Sequence, residues 1–576
     1  MTNEVLISDL SICEPADKLD RDFRHGTWRL VDYETELFGG TMVYSGPGMD
    51  SAPLKLQINT SGYHKIYVGV QYPVFCDVHV RLRLTDDPAY TLVRAEQQSE
   101  KDRHGLPNGY GVYFTGKAFR EWEVTEAFWK IADLTGQDLT ISRFNQGSPG
   151  QGGNVAEMYS NLVFVRMVPL TDDEIAEYHR ELPRDDTRRL LAMNDGGVFI
   201  NVRTKEDIWA QIEPYRESDV DVMLWATFKG ENSIYRTKVG RQPPATYSPF
   251  DRFASGDWWH NSLTALESED TDFMAEAINA AHAAGLRIFP SLRLQTADKP
   301  VPRDLSPGSF QKQHPEFMSR DRAGHATGRM SLAYPEVRQF WIDLLCEAVA
   351  CGFDGAHVIF CRSWPFVYYD EPVIERFQTL YGENLLDITD EDPRFRALMA
   401  EYVTQFGREV KAAIDTLGHN MAKSLELAYS VNNTVESNIK WGIDVQALVN
   451  ERLVDYLIPH PTNAMNASEW LPWYVDLVRG TPVRLYPDLY PRRQPAAAAL
   501  YSADTLYDLG CDGIALWDTY ARTSRISEWA TMKRLGHREE IKLWRESGKG
   551  NDYFRVIPFT RLADRGVDPR YYFSDG

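Results

Sequence analysis

The chain has 576 residues, more than one hydrophobic core usually holds, so at least two domains are expected. Its 43% hydrophobic and 25% charged residues are ordinary for a globular protein, and its formal net charge of -21 disfavours nucleic acid or an anionic membrane as a partner. The first 20 residues lack the apolar run of a signal peptide, and no later run is long enough to span a membrane. The sequence therefore predicts a cytoplasmic protein with no membrane partner.

The first part of the chain has the alternating pattern of β-strands. Residues 1–168 are predicted to form an antiparallel β-sandwich of jelly-roll type, because short apolar-polar alternations are separated by Gly, Pro, Asn and Asp. Residues 169–195 are predicted as a linker helix with a capping-box start at Thr171. Residues 196–545 are expected to form the catalytic domain, and residues 546–576 a C-terminal tail.

In the predicted catalytic domain, short apolar runs alternate with helical patterns. Strands buried on both faces of a parallel sheet are nearly continuously apolar, so the fold class is α/β. A count of eight runs favours a (β/α)8 TIM barrel over an open sheet. No G-x-G-x-x-G opens the first helix, so no dinucleotide cofactor is expected. The predicted strands are 197–203, 220–228, 286–293, 355–362, 424–430, 454–460, 483–488 and 513–518.

Several short segments of this domain follow one another in a characteristic order. They are Ala280-Ala-His-Ala-Ala-Gly-Leu-Arg-Ile, His314-Pro-Glu-Phe, Asp321-Arg-Ala-Gly, Tyr334-Pro-Glu-Val-Arg-Gln-Phe, Phe353-Asp-Gly-Ala-His and Val454-Asp-Tyr-Leu-Ile-Pro. Over roughly residues 196–520 the chain resembles a glycosyl-hydrolase-like barrel family of largely uncharacterised bacterial proteins, related to α-amylase-type barrels. The resemblance implies a carbohydrate-active barrel. Relatives usually carry one or two acidic residues where this chain has Ile359 and Phe360, so a carboxylate is missing from the fourth strand.

Three carboxylates are candidates for catalysis, since glycoside hydrolysis generally needs one protonated and one ionised carboxyl group. Glu426 interrupts an apolar strand, where a buried Glu is costly, and is predicted to be the general acid. The alternative is a structural ion pair with Arg203 or Arg293. Asp518 and Asp488 end the eighth and seventh predicted strands, so either is a candidate for the second carboxylate, unless it caps a turn or helix.

Asp370 lies after the fourth predicted strand and is a candidate for a substrate-binding acid. It could reach back from its loop to replace the acids missing at Ile359 and Phe360. Because it stands just before Pro372, at a typical helix start, capping is the alternative.

Aromatic and basic residues near the predicted strand ends complete the candidate site. Aromatic rings pack against the C–H faces of sugars, and arginine binds hydroxyl or carboxylate groups. His357 lies within the fourth strand and is equally consistent with a core histidine. No histidine pair has zinc-ligand spacing, so no metal site is expected. The predicted substrate-binding residues are His357, Arg362, Trp225, Trp364, Asp370, Tyr429, His460, Tyr486, Trp517, Arg203 and Arg293.

These patterns together predict a glycoside hydrolase that acts on an oligosaccharide or glycoside without a cofactor. Homo-oligomerisation is left open. One alternative is a barrel that binds glycans without cleaving them, because the fourth strand lacks its acids. Another is a lyase or isomerase acting on a sugar acid, with Arg203, Arg293 and Arg362 binding the carboxylate and His357 as base.

Overall fold

The computed structural model describes residues 4–46, 49–71, 78–94, 123–144, 159–194, 202–241, 256–294, 310–462, 465–492 and 494–562. Its strands are β1 (Val5–Ile7), β2 (Leu19–Asp20), β3 (Trp28–Thr35), β4 (Gly39–Ser45), β5 (Leu54–Gln57), β6 (Tyr63–Gln71), β7 (His79–Leu84), β8 (Thr91–Arg94), β9 (Glu123–Asp133), β10 (Asp138–Arg143), β11 (Ser160–Leu162), β12 (Phe164–Pro169), β13 (Leu190–Asn194), β14 (Val220–Ala226), β15 (Phe228–Lys229), β16 (Asn232–Ser233), β17 (Arg287–Arg293), β18 (Met318–Arg320), β19 (Ala326–Met330), β20 (Gly355–Ile359), β21 (Glu426–Asn432), β22 (Tyr456–His460), β23 (Arg484–Leu485), β24 (Ile514–Leu516) and β25 (Phe554–Leu562).

The α-helices lie mainly between the later strands. They are α1 (Asp172–Arg180), α2 (Lys205–Ile212), α3 (Gly256–Ser268), α4 (Phe273–Ala283), α5 (Phe310–Gln313), α6 (Pro335–Val349), α7 (Glu371–Tyr381), α8 (Pro393–Met421), α9 (Val435–Lys440), α10 (Val445–Asn450), α11 (Ala467–Val478), α12 (Ala496–Asp508), α13 (Thr519–Thr523), α14 (Ile526–Met532) and α15 (Ile541–Ser547). None of these helices combines the length and the apolar character needed to cross a membrane, within the ranges given above.

Eight parallel strands form one curled sheet in the second part of the chain. Their order is β23-β22-β21-β20-β17-β14-β13-β24, which follows the chain except that β24 lies beside β13. Helices alternate with these strands, as expected: the sequence predicts helices over 335–350 and 467–478, and α6 and α11 occupy these ranges almost residue for residue. The α/β class and the parallel sheet are therefore confirmed.

The first strand of this sheet lies earlier than expected. β13 pairs with β14 and β24 and is buried at every position, although Leu190–Asn194 falls in the range predicted as a linker helix. The predicted strand 197–203 lies largely outside the described residues, and its described residues, Val202 and Arg203, are not in a strand. Leu190–Asn194 is an apolar run of only five residues that directly follows a charged segment. The sequence pattern therefore does not separate this strand from the predicted linker helix.

The two ends of the sheet meet through a few contacts. β23 has only two residues, and no full ladder joins it to β24. Beyond β23, Asp488 forms an isolated parallel bridge with Ala515. The Leu489 backbone N–H donates to the Ala515 carbonyl (2.8 Å), and the Ala515 N–H donates to the Pro487 carbonyl (3.0 Å). The sheet thus curls until its two ends approach each other, but no ladder between β23 and β24 closes it into a complete barrel.

Side chains of the parallel strands alternate between two cores. One core fills the inside of the curled sheet, and its members are Leu191, Met193, Val222, Leu224, Phe289, Ile359, Cys361, Ala428, Tyr456, Ile458, Tyr486, Ala515 and Trp517. The other core lies between the sheet and the helices. Polar side chains that share the inner face are the ones placed to bind a ligand.

The N-terminal part forms two sheets that are almost entirely antiparallel. Their orders are β1-β12-β6-β9-β25-β3-β4-β11, with β2 beside β3, and β5-β10-β7-β8. Val68 and Val165 of the first sheet share one buried cluster with Leu82 and Ile141 of the second. The two sheets bury a common core, as in the expected β-sandwich.

A strand of the larger antiparallel sheet comes from the end of the chain. β25 pairs with β9 on one side and β3 on the other, although 546–576 was predicted as a tail. Ile557, Phe559 and Leu562 are buried in the core beside these strands. The prediction of a tail is wrong for these residues, because their partners lie more than 400 positions earlier and give no local signal.

The linker helix begins where the sequence predicts. The Thr171 hydroxyl accepts from the Glu174 backbone N–H, and the Glu174 carboxylate accepts from the Thr171 N–H (2.9 Å). This reciprocal pair is the capping box expected from the sequence.

Candidate functional site

A histidine and an aspartate form a buried pair at the C-terminal edge of the parallel sheet. His460 ends β22, and Asp488 follows β23 on the next strand. His460 Nδ1 lies 2.9 Å from Asp488 Oδ2, and both residues are buried. Arg362 Nη2 donates to the other ring nitrogen, Nε2, at 3.2 Å. Because guanidinium is only a donor, Nε2 must be unprotonated, so the proton is on Nδ1 and points to Asp488.

Burial sets the charge of this histidine. Desolvation lowers the pKa of His460, and the hydrogen bond to Asp488 opposes this effect without overcoming it. Since the ordinary pKa of histidine is about 6.5, the imidazole is neutral at pH 7. His460 is therefore in the protonation state of a base.

Asp488 is occupied at both oxygens. Besides its contact with His460, it accepts a hydrogen bond from the Trp517 backbone N–H at Oδ1 (2.8 Å). It caps neither a described helix nor a turn, the alternative considered from sequence. The carboxylate instead ties the end of β22 to the residue that follows β24.

Trp517 forms the floor of this cluster. Its ring lies 4.3 Å from the His460 ring, centroid to centroid, and only 1% of the residue is exposed. The guanidinium carbons of Arg362 and Arg492 lie 5.8 and 5.9 Å from its ring. Arg522, wholly buried, donates from Nε to the Trp517 carbonyl (3.1 Å). Arg522 thus holds the backbone of Trp517, while the guanidinium groups of Arg362 and Arg492 lie over its ring.

Of the two described carboxylates next to Trp517, Asp488 is buried and Asp518 is partly exposed. It forms an ion pair with Arg492, and 17% of its side chain is accessible. It precedes α13 in the left-handed region (φ 52°) without capping that helix. A non-glycine residue in this conformation carries a local energetic cost, which is common at functional sites. The ion pair with Arg492 orients the Asp518 carboxylate.

His357 lies deeper inside the curled sheet. Ser291 Oγ is 2.8 Å from its Nδ1, and Ser430 Oγ is 2.8 Å from its Nε2. The residue is completely buried. Hydroxyls on both neighbouring strands therefore hold the imidazole. His357 is a core histidine that faces the inside of the curled sheet, nearer to its N-terminal end than Asp488.

Two tryptophans form a half-buried pair above the sheet. Trp364 and Trp441 stack with centroids 5.3 Å apart and planes at 6°, and Trp364 Nε1 donates to the Phe360 carbonyl (2.8 Å). They follow the fourth and fifth strands of the parallel sheet. Such a flat aromatic surface suits the C–H face of a sugar.

Glu426 lies at the opposite end of the sheet. It is the first residue of β21, whereas Asn432, the last, is in register with His460. Six residues of strand correspond to about 20 Å. Glu426 forms ion pairs with Arg287 and Arg484. The structure therefore does not bring it together with Asp488 or Asp518, and the ion-pair alternative is observed, with other arginines than those expected.

Replacing Glu426 by Gln is expected to lower the free energy of unfolding by about 1–2 kcal/mol, because two half-buried arginines lose their shared carboxylate. Catalytic activity should be unchanged. Urea denaturation measures the first quantity. Glu451→Gln is the matched control: Glu451 forms an exposed pair with Arg408, so a change within about 0.5 kcal/mol is expected. Lost activity with unchanged stability in Glu426→Gln would contradict this assignment.

Three predicted aromatic site residues do not face the inside of the sheet at its C-terminal edge. Trp225 and Tyr429 point outward into the core between the sheet and the helices, because they occupy the outward positions of their strands. Tyr486 points inward, but its ring packs at 5.4 Å against Tyr456, which accepts at its hydroxyl from Arg287 near the N-terminal end. None of the three is placed to contact a ligand with Asp518.

Of the other predicted residues, Asp370 supports a loop. Its buried carboxylate accepts from the backbone N–H groups of Arg320 and Tyr368 (both 2.9 Å) and from the Ser331 hydroxyl. Desolvation raises its pKa. Asp370 therefore does not replace the missing acids of the fourth strand, nor does it cap α7.

The two remaining arginines differ in position. Arg203 is exposed and lies just before α2. Arg293 is the last residue of β17, half-buried and in register with Ile359, so it belongs to the C-terminal edge. Arg492, Trp441, Ser291 and Ser430 were missed. The two serines carried a signal, since each is a polar residue in an apolar strand beside His357.

Within the described ranges, no group of three His, Cys, Asp or Glu side chains is arranged to hold a metal ion. The chemistry available at the C-terminal edge is that of a partly exposed carboxylate, a neutral imidazole and guanidinium groups.

Comparisons with known proteins give structural neighbours only. No family model matches the chain, and no curated protein sequence does. Among solved structures, TtGalA, an alpha-galactosidase from Thermus thermophilus in complex with p-nitrophenyl alpha-D-galactopyranoside, is 14% identical, covering 88% of this chain and 91% of that chain with a TM-score of 0.32. The cycloalternan-forming enzyme from Listeria monocytogenes in complex with pentasaccharide substrate is 9% identical (88% and 45% covered, TM-score 0.35). A ruminal endo-beta-1,4-mannanase is 8% identical (93% and 96% covered, TM-score 0.30).

These neighbours are glycoside hydrolases and related carbohydrate enzymes, the kind that the sequence resemblance implies. Their TM-scores are too low to support an argument about activity. The function is therefore argued from the residues at the C-terminal edge.

Proposed function

We propose that this protein is a carbohydrate-active enzyme that hydrolyses a glycosidic bond at the C-terminal edge of a (β/α)8 barrel. The barrel is its catalytic domain and the β-sandwich an accessory domain. The observation that carries the proposal is Asp518: a partly exposed carboxylate held by Arg492 at the end of the last strand, beside a buried aromatic floor. Barrel enzymes carry their chemistry at this edge.

In this proposal Asp518 stays ionised and faces the anomeric carbon. It acts as nucleophile or activates a water molecule. The bond from the anomeric carbon to the leaving oxygen breaks, and the leaving oxygen takes a proton from solvent. A bond from the anomeric carbon to the water oxygen forms, and that water gives up one proton to Asp518 or, when Asp518 is the nucleophile, to solvent. Both oxygens of Asp488 already accept hydrogen bonds, so Asp488 does not contact the sugar itself. It acts by orienting His460. Trp364 and Trp441 provide a surface for the sugar ring.

A second candidate is elimination on a sugar acid. It is favoured by Asp488, because both of its oxygens already accept hydrogen bonds and it therefore cannot act directly on a glycosidic oxygen. His460 is neutral and its Nε2 carries a lone pair next to Arg362. In this reaction Arg362 releases Nε2 and binds the carboxylate, and the freed Nε2 takes the proton from the carbon beside that carboxylate. A carbon–carbon double bond forms and the neighbouring C–O bond breaks. The leaving oxygen takes its proton from solvent. The base differs from the His357 considered from sequence, since His357 is enclosed by two serines.

One experiment separates these functions. The full chain is incubated with neutral and acidic polysaccharides, and new reducing ends, ultraviolet absorbance and product masses are measured. Hydrolysis gives reducing ends and products that have gained one water. Elimination gives unsaturated products without added water. Binding without either product identifies a glycan-binding barrel, and neither binding nor products would contradict a carbohydrate function.

A further inference from the structure

Arg362 has no carboxylate within ion-pair distance among the residues that the structure describes. Its contacts there are the hydrogen bond to His460 Nε2 (3.2 Å) and the face of Trp517, 5.8 Å from its guanidinium carbon. It is half-buried at the end of the fourth strand. Partly buried arginines usually have an anionic partner, because the charge is costly to desolvate. The lack of a described ion-pair partner for Arg362 therefore requires an explanation.

The guanidinium is nevertheless held in place. Asp488 fixes the proton of His460 on Nδ1, which leaves Nε2 as an acceptor for one N–H of Arg362. Trp517 supports the planar group from one side. An arginine has five N–H donors, so the donors that face away from His460 stay available for a planar anion. Such a group is preorganised and loses little conformational freedom on binding.

The charge around Trp517 suits an anion as well. The arginines of this region are Arg362, Arg492, Arg522 and Arg525, and its carboxylates are Asp488, Asp518 and Glu528. Among these described residues Arg492 pairs with Asp518 and Arg525 pairs with Glu528. The half-buried positive charge that can attract an anion here is therefore that of Arg362.

We propose that this edge binds a sugar that carries an anionic group, either the carboxylate of a hexuronic acid or a sulfate ester, on Arg362. The proposal rests on the proposed carbohydrate function and adds its substrate class. The anion forms a charge-assisted pair with the outward N–H groups of Arg362, next to Asp518 across the Trp517 floor. His460 and Asp488 are positioning residues for Arg362.

Calorimetric titration tests this proposal, because it measures ligand binding independently of cleavage. The ligands are oligogalacturonate, oligoglucuronate and oligomannuronate, each compared with its carboxyl-reduced counterpart, and a sulfated galactan compared with its desulfated form. The full chain is expected to bind at least one anionic form about ten- to hundredfold more tightly than its neutral counterpart. Arg362→Gln should remove this preference while leaving binding of the neutral form unchanged. Arg362→Lys should retain part of it. Arg479→Gln, at an exposed arginine that follows α11 and precedes β23, is the matched control and should behave as the natural chain.

The outcomes separate the two proposals. Preference for the carboxylated or the sulfated form identifies the source of the anion. Equal binding of anionic and neutral forms, no binding of any ligand, or a preference that persists in a folded Arg362→Gln variant would overturn the inference. Cleavage of neutral glycans with no preference for anionic ligands would overturn the proposed anion-binding role of Arg362, but would not contradict the proposed hydrolysis. Anionic preference without cleavage of any glycan would support it and reject hydrolysis.

Discussion

Replacing Asp518 by Asn is expected to lower kcat/KM for the cleaved glycan by about 10²–10⁴-fold, the range typical for removal of a positioned proton-transfer or nucleophilic group. The amide keeps the shape and one acceptor for Arg492 but carries no charge. Binding of the glycan should change little, because the loss falls on the transition state. The measurement is the initial rate over a range of substrate concentrations, together with calorimetric binding.

Glu426→Gln is the matched control for this variant. Both changes convert an arginine-paired carboxylate on the parallel sheet into an amide, but Glu426 lies about 20 Å from the C-terminal edge along its strand. We expect full kcat/KM in the control. A fully active Asp518→Asn variant would contradict the proposed function. Loss of activity in Glu426→Gln would place the site at the other end of the sheet and would contradict it as well.

Introducing Asp at Ile557 is expected to destabilise the folded protein by about 4 kcal/mol or more. Ile557 is 2% exposed in β25, between β9 and β3, so the variant buries a charge without a partner and removes apolar packing. This is a large share of a typical total stability of about 5–15 kcal/mol. Circular dichroism during thermal unfolding, and the yield of folded protein, measure it.

Thr560→Asp tests whether the effect depends on burial. Thr560 lies three residues later in the same strand and is exposed. A change within about 0.5 kcal/mol is expected there. If both variants were equally stable, β25 would not be an integral strand of the antiparallel sheet.

The candidate site was only partly predictable. His460, Asp488, Trp517, Arg362 and Asp518 were chosen because they end predicted strands, and the structure places them together at one edge. Glu426 was chosen because a Glu in an apolar strand is costly, and that argument does not distinguish the two ends of a strand. Trp225 and Tyr429 were chosen for their position near strand ends, but inward and outward positions differ by one residue, and the sequence of a doubly buried strand does not show which is which.

Local sequence by itself determined the helices, most parallel strands and the capping box at Thr171, because these depend on periodicity and on contacts between near neighbours. The tertiary structure alone decided the place of β13 and β25, since strand partners far apart in the chain leave no local pattern. It also decided the charge partners. Glu426 meets Arg287 and Arg484, Asp518 meets Arg492, and Arg362 meets a neutral His460. Electrostatic partners depend on which strands become neighbours, and that follows from burial of the whole sheet rather than from any one segment.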